Sequence, residues 1–247
     1  MYGPVRFSHL RAYGRSPAHG LHARTAPEND PTYAMQRGTA VHALLLGTRK
    51  VVGYPGAQRR GKEYDAFVEN NPDTEILTVN EYNKAARMAD AVRESKIAAP
   101  YLKGVSQETI LFKWMGLECR STADVRGDGF LTELKTAATA DPLRFGWHAL
   151  RMHYHAQMRL QNIAIEDTAK DCFVVVVESE PPHPVQVFRF EDRALIAGEK
   201  LLTLWAERLK QAEAAKEYPP YTSCVMPIDI PDDDEYNLVF EPEEEHA

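Results

Sequence analysis

Asp124, Glu133 and Lys135 stand close together in the chain, on either side of the turn-forming triplet Gly127-Asp128-Gly129. If the flanking segments pair as an antiparallel hairpin, counting outward from the turn sets Asp124 opposite residue 132 or 133. Asp124 and Glu133 can then be neighbours on one face, and Lys135, two residues beyond Glu133, points the same way. Counting outward from Met115-Gly116 sets Glu108 opposite residue 123 or 124, which would bring a third carboxylate to the same area. A slip of one residue turns any of these side chains away.

Crowded carboxylates raise one another's pKa unless a divalent cation neutralises them. Oxygen-rich sites of this kind suit Mg²⁺ or Mn²⁺. Such an ion lowers the pKa of a bound water and takes up charge that develops on phosphate oxygens during in-line attack. A lysine beside it can orient the water and stabilise the phosphorane. The same alternation of Asp, Glu and Lys also describes a solvated strand face, with cross-strand ion pairs worth roughly 0.2–1 kcal/mol. Spacing alone leaves both readings open.

The elements that must position these residues can be read from periodicity and punctuation. Residues 1–32 are rich in Pro, Gly, His and Arg, with one short helix at Ser8–Tyr13. A helix over Tyr33–Leu46 carries His42 and an apolar edge of Val41, Leu44 and Leu45, and Gly47 ends it. A second helix covers Lys62–Glu69. A third opens at Thr78-Val-Asn-Glu81, a capping-box spacing, and buries Tyr82, Ala85, Ala89 and Val92. Strands are expected at Glu108–Trp114, Leu117–Arg126 and Phe130–Thr136, joined by short glycine-bearing turns. Asp141-Pro142 starts a helix expected to run through Ile163. Cys172–Val177 is an unbroken apolar run that suits a strand covered on both faces, with Val185–Phe190 beside it and a last helix over Asp192–Ala215. The order is that of an α/β protein with a mixed sheet flanked by helices.

Several further segments stand in a fixed order with this core: Arg37-Gly-Thr-Ala-Val-His42, Gly61-Lys-Glu-Tyr-Asp-Ala-Phe67, Glu108, Asp124, Glu133-Leu-Lys-Thr136 and Tyr154-His-Ala-Gln157. In that order the chain resembles the RecB-like branch of the PD-(D/E)XK nucleases, and within it the phage and prophage exodeoxyribonuclease VIII type. The resemblance runs from Ser8-His-Leu-Arg-Ala-Tyr to Tyr218-Pro-Pro-Tyr221. It implies a restriction-endonuclease-like sheet with an αβββαβ core, in one domain over residues 1–228. It implies that His42, Asp124, Glu133 and the Leu134 carbonyl are metal ligands and that Lys135 is the catalytic lysine. Glu108 would help hold a second ion or its waters, and Tyr154 and Gln157 would order the site from the following helix. His148, His153 and His155 do not match the pattern and are read as packing or surface residues. Relatives often carry Arg-Pro just before the first aspartate, where this chain has Thr122-Ala123, a departure that bears on substrate polarity.

The activity so implied is Mg²⁺-dependent hydrolysis of DNA, with Mn²⁺ able to substitute, by a 5′-to-3′ exonuclease on double-stranded ends in phage-type recombination. Its single strands would pass to an annealing protein, and relatives suggest ring-like homo-oligomers. A structure-specific or restriction-like endonuclease and a non-catalytic DNA-binding protein of the same fold are the alternatives. A protein that only binds phosphate gains little from acids facing the backbone.

The net charge of −7 looks wrong for such a partner until its distribution is examined. Nine of the 36 acidic residues fall in 229–247, a stretch without Lys or Arg, so 27 acidic residues face 29 basic ones in the body. The tail is expected to be disordered or to act as a DNA mimic. Arg59, Arg60 and Lys62 form a basic loop able to hold backbone phosphate, and Arg144 to Arg159 form a second basic cluster. Three scattered cysteines, Cys119, Cys172 and Cys224, suggest neither a disulfide framework nor a zinc site, and an iron–sulfur cluster would need four. No apolar run approaches the roughly 20 residues of a membrane span, and no secretory signal opens the chain, so a cytoplasmic location is expected.

Overall fold

The computed structural model of the chain describes residues 2–27, 31–56, 58–222 and 224–226. The acidic tail at 229–247 lies outside the described residues. Five strands form the central sheet: β3 (Val105–Trp114), β4 (Leu117–Arg126), β5 (Phe130–Ala137), β6 (Asp171–Glu178) and β7 (Val185–Phe190), in that spatial order. Only the β5–β6 pair is parallel, so the sheet is mixed. The expected α/β architecture is therefore present. No helix among the described residues is long and apolar enough to cross a membrane.

The apolar run in β6 explains why both faces are covered. Val175 and Val177 pack with Leu134 of β5 against Ala40 and Val41 of α3 (Tyr33–Leu46) and Met88 and Val92 of α5 (Val79–Glu94). Val174 and Val176 face the other way, onto Phe145 and Ala149 of α6 (Pro142–Arg151). Further along that face, Ala123 and Leu131 meet Met158 of α7 (Tyr154–Ala164), and Cys119 joins Leu160 of α7 and Trp205 of α8 (Asp192–Ala215). Each fully buried Val or Leu contributes roughly 1.5–3 kcal/mol. Gly198 lets α8 lie close to α7, since a Cβ there would come 2.8 Å from the His155 carbonyl oxygen.

Three features depart from the sequence reading. The helix expected from Asp141 to Ile163 is two helices, α6 and α7, parted at Met152-His153, where His153 takes φ 60°. No Gly or Pro marks that break. It follows from packing, because Phe145 of α6 stacks on Phe188 at 4.8 Å whereas His153 meets the Trp205 ring edge-on at 5.2 Å. The N-terminal region holds two helices, α1 (Phe7–Arg15) and α2 (Pro17–Thr25). The start of α2 carries an ordinary signal, Ser16 as N-cap accepting from the His19 N–H, with Pro17 behind it. Finally, β1 (Lys50–Tyr54) and β2 (Thr74–Thr78) form a small parallel pair spanned by α4 (Lys62–Glu69). Both strands are short and partly buried, so neither shows the alternation that identifies a strand.

Candidate active site

The β4–β5 ladder holds for two pairs beyond the turn, Arg126 with Leu131 and Val125 with Thr132. The next pair in that register would be Asp124 with Glu133, and there the backbone ladder has ended. A side chain takes over: Asp124 Oδ2 accepts the Leu134 N–H at 2.8 Å. The N–H and C=O of one residue in a strand point to the same edge, so the Leu134 carbonyl faces this opening too. Here α3 comes close to β5, because Gly38 offers no side chain and a Cβ on it would lie 3.3 Å from Thr136 Oγ1. One turn later, His42 Nδ1 sits 3.3 Å from Asp124 Oδ1.

The opposite wall is α7. Gln157 Nε2 donates to Glu133 Oε1 at 2.6 Å, and Lys135 Nζ donates to the same oxygen at 2.7 Å. Lys135 also lies 3.4 Å from Gln157 Oε1 and 4.7 Å from the centre of the Tyr154 ring. Gln161 Nε2 donates both to Glu133 Oε2, at 2.7 Å, and to the Thr122 carbonyl, at 3.1 Å. That second bond ties β5 to β4 where their own ladder is missing. Gln161 is buried and was not singled out from the sequence. Its position four residues after Gln157, on the same helical face, is the signal that marks it.

Asp124 and Glu133 are both buried. Burial by itself would raise the Asp124 pKa, but His42, the Leu134 N–H and Lys135 outweigh it and hold the carboxyl below its ordinary value. Burial would lower the pKa values of His42 and Lys135. The Asp124 charge and hydrogen bond, with help from Glu133, lift His42, and Glu133, then Asp124 and Tyr154, lift Lys135. The opposite charges in the site thus favour the ionised form of Asp124 and the protonated forms of His42 and Lys135.

Among the described residues no group of three or more His, Cys, Asp or Glu side chains is arranged to hold a metal ion. The donors present nevertheless suit a hydrated Mg²⁺, which keeps several waters and is held by one or two carboxylates. A carboxylate offers about four lone-pair positions. Lys135, Gln157 and Gln161 fill three on Glu133, and His42 and Leu134 fill two on Asp124. Open positions therefore remain on both acids, beside the Leu134 carbonyl.

Glu108 is not part of this cluster. It pairs opposite Ala123, one residue short of Asp124, and its carboxylate is taken by Arg126 at 2.9 Å. Gln107 takes φ 48° at that point, and the ladder omits it. The basic loop is also partly committed. Arg59 donates to the Ile76 carbonyl and to Gln36, both at 3.1 Å, and lies over the Tyr33 ring, so it joins α3 to β2. Arg60 donates to Gln58 at 2.6 Å, and both Arg60 and Lys62 are exposed.

The profile of a family described as "PDDEXK-like domain of unknown function (DUF3799)" matches residues 6–226. Among solved structures, the chain is similar to a candidate exonuclease from Eubacterium rectale, with 14% identity, a TM-score of 0.65 and coverage of 92% of this chain and 91% of that one. It is also similar to an alkaline exonuclease from Laribacter hongkongensis (16% identity, TM-score 0.41, 87% and 92% covered). A phage-related exonuclease from Haemophilus somnus 129PT gives 11% identity, a TM-score of 0.42 and coverage of 88% and 98%. No curated protein matches the chain.

Proposed function

The chain belongs to the DUF3799 family of PDDEXK-like domains, and from that membership and its buried acid–lysine cluster we propose that it is a divalent-metal-dependent deoxyribonuclease. The observation that carries the proposal is Lys135 Nζ at 2.7 Å from Glu133, with Asp124 held at the adjoining position of the next strand. A surface ion pair needs neither burial nor two glutamines to fix it, and this one has both.

Asp124, Glu133 and the Leu134 carbonyl would hold the ion, Mg²⁺ or Mn²⁺, and His42 would join them on releasing the proton that Asp124 favours. When bound, the ion supplies an acidified water and neutralises charge on the phosphate oxygens. Asp124, whose carboxyl is held below its ordinary value, is ready to accept the ion, and with Glu133 it would orient the attacking water. Lys135 keeps its proton and acts as a fixed positive charge for the oxygen on which negative charge develops. Tyr154 covers one side of that ammonium, and Gln157 holds it in place beside Glu133.

Within this activity we assign the chain to 5′-to-3′ digestion of linear duplex ends in phage-type recombination, with the single strand passing to an annealing protein. The family resemblance supports that assignment. Incubation of linear and closed circular duplex with Mg²⁺ or EDTA tests it. Loss of the linear form alone, and only with Mg²⁺, is expected. Equal nicking of supercoiled circles would overturn the exonuclease assignment in favour of an endonuclease, and no cleavage of either form would overturn the nuclease reading.

A further inference from the structure

The outer face of α6 is apolar and uncovered among the described residues. Leu143, Trp147 and Leu150 recur at i, i+4 and i+7, so they form one stripe along the helix. They are 74%, 70% and 43% exposed. Phe145 and Ala149, on the opposite side of the helix, are buried against the sheet. A helix that is apolar on both faces calls for a partner on each. Single exposed apolar residues are ordinary, whereas a contiguous row marks a binding surface.

Beside the stripe lie Arg144 and Arg151, seven residues and hence two turns apart on one side of the helix. Both are exposed, and neither makes a side-chain hydrogen bond or ion pair among the described residues. Arg159, the last member of this basic cluster, differs, because Asp167 and Glu199 hold it. A partner that fits α6 therefore carries a short apolar block with acids on its flanks.

The chain itself contains such a block. Tyr236-Asn-Leu-Val-Phe240 has four acidic residues directly before it, at 232–235, and four more within 241–245. No Lys or Arg interrupts this stretch. The described chain leaves the body beside α2, where the Ala18 N–H donates to the Pro219 carbonyl at 3.2 Å and the Tyr221 ring lies 5.4 Å from that of His19. Val225 is 99% exposed. From there the way to α6 is short. Ser16 caps α2 two residues after Gly14, Gly14 lies against the Trp205 indole, and Trp205 meets His153 just past the end of α6. The ten residues from Met226 to Tyr236 can span roughly 33 Å. A flexible tether of that size holds the block at an effective concentration on the order of millimolar, so even weak docking is well populated.

We propose that residues 236–240 of this chain dock on the α6 stripe of Leu143, Trp147 and Leu150, with the flanking acids against Arg144 and Arg151. The apolar block supplies the contact area, and the opposite charges select the side of the helix that it takes. The docking does not depend on the nuclease reading.

The test is chymotrypsin cleavage after Tyr236 in the full chain, in EDTA, read as release of the 237–247 fragment by mass spectrometry. Wild type is compared with Trp147→Ser, Trp147→Phe and the double variant Arg144→Gln/Arg151→Gln. All these side chains are exposed, so the variants should fold, which a thermal melt verifies, and none changes the bond that is cut. Release should be slow in wild type and rise about tenfold in Trp147→Ser, for the loss of one large apolar contact. Trp147→Phe should stay close to wild type. The double arginine variant should release faster than wild type at low salt, with the difference vanishing at high salt. Equal release from wild type and Trp147→Ser overturns the docking. If Trp147→Ser then also loses affinity for duplex DNA in EDTA, the stripe is a DNA-binding face instead. Protection that disappears on dilution overturns the proposal too, because the occupant is then the tail of a second copy.

Discussion

Glu133 and Lys135 share a hydrogen bond but differ in what each would do for an ion, and substitution should separate them. Glu133→Gln removes a charged oxygen and leaves Lys135 without its nearest counter-charge, so Mn²⁺ affinity and DNA cleavage should fall together. Lys135→Ala removes a positive charge that competes with the ion. Metal affinity should then be kept, while single-turnover cleavage slows by about 10²–10³-fold for one lost transition-state contact. Calorimetry with Mn²⁺ beside single-turnover cleavage measures both effects, and a normal cleavage rate in either variant would show the cluster to be structural. His9 makes a separate prediction for pH. Burial, followed by Arg6, Arg24 and Arg120, pushes its pKa down to about 4 in the folded protein, from 6.5 for the ordinary side chain. Between those values the unfolded chain binds a proton that the folded chain refuses. Stability should therefore fall as pH drops from about 6.5 to 4 and take no further loss from His9 below that. His9→Gln keeps a capping-box side chain at the start of α1 and should flatten this part of the urea-denaturation pH profile. An equal slope in that variant would place the acid sensitivity elsewhere.

The candidate site exists because two strands stop pairing and two helices fill the gap from either side. β4 and β5 part beyond Val125 and Thr132, and Asp124, Gln161 and the Leu134 N–H replace the missing ladder. On the α3 side the approach depends on Gly38, where even a Cβ would be 3.3 Å from Thr136 Oγ1. Gly38→Val should push α3 off β5 at a cost of about 1–3 kcal/mol, the usual range for overpacking. His42 would move with α3, so Mn²⁺ affinity should weaken as well. Thr136→Ala removes the opposing hydroxyl and should recover part of both losses when combined with Gly38→Val. A double-mutant cycle read by denaturation and calorimetry measures that coupling. Strictly additive effects would mean that α3 is not seated through this contact.

For the molecule as a whole, the uneven distribution of charge matters more than its sum. With residues 229–247 the chain carries −7, and the remaining 27 acidic and 29 basic residues give a body of +2. If the tail acts as a DNA mimic, a polyanionic substrate would compete with it for the same cations, and removing 229–247 should tighten binding to duplex DNA at fixed salt. Titration of both forms in EDTA measures this, and equal affinities would leave the tail without a part in binding. The positive groups are spread over several elements. Arg59 serves partly as a link between α3 and β2, whereas Arg120 and the cations around it face one concavity.

Local pattern determined a large part of this protein. The unbroken run Cys172–Val177 required a strand buried on both faces, and the turn at Gly127–Gly129 set the register that puts Asp124 and Glu133 at facing positions. The Thr78 cap at the start of α5 was legible for the same reason: its side chain accepts the N–H of Glu81, three residues on. Other features depend on contacts between residues distant in sequence. Two counts were compatible with the turn before β4, and the pairing chose Ala123 for Glu108, which Arg126 then claimed. The break at His153 carries no Gly or Pro, because it is Phe188 and Trp205, far along the chain, that hold α6 and α7 in different directions. The concavity at Arg120 joins residues 6, 9, 22, 24 and 120, whose spacing has no period. Periodicity and capping act over a few residues and are written in the sequence, but the meeting of distant side chains follows only from how the packed elements lie against one another.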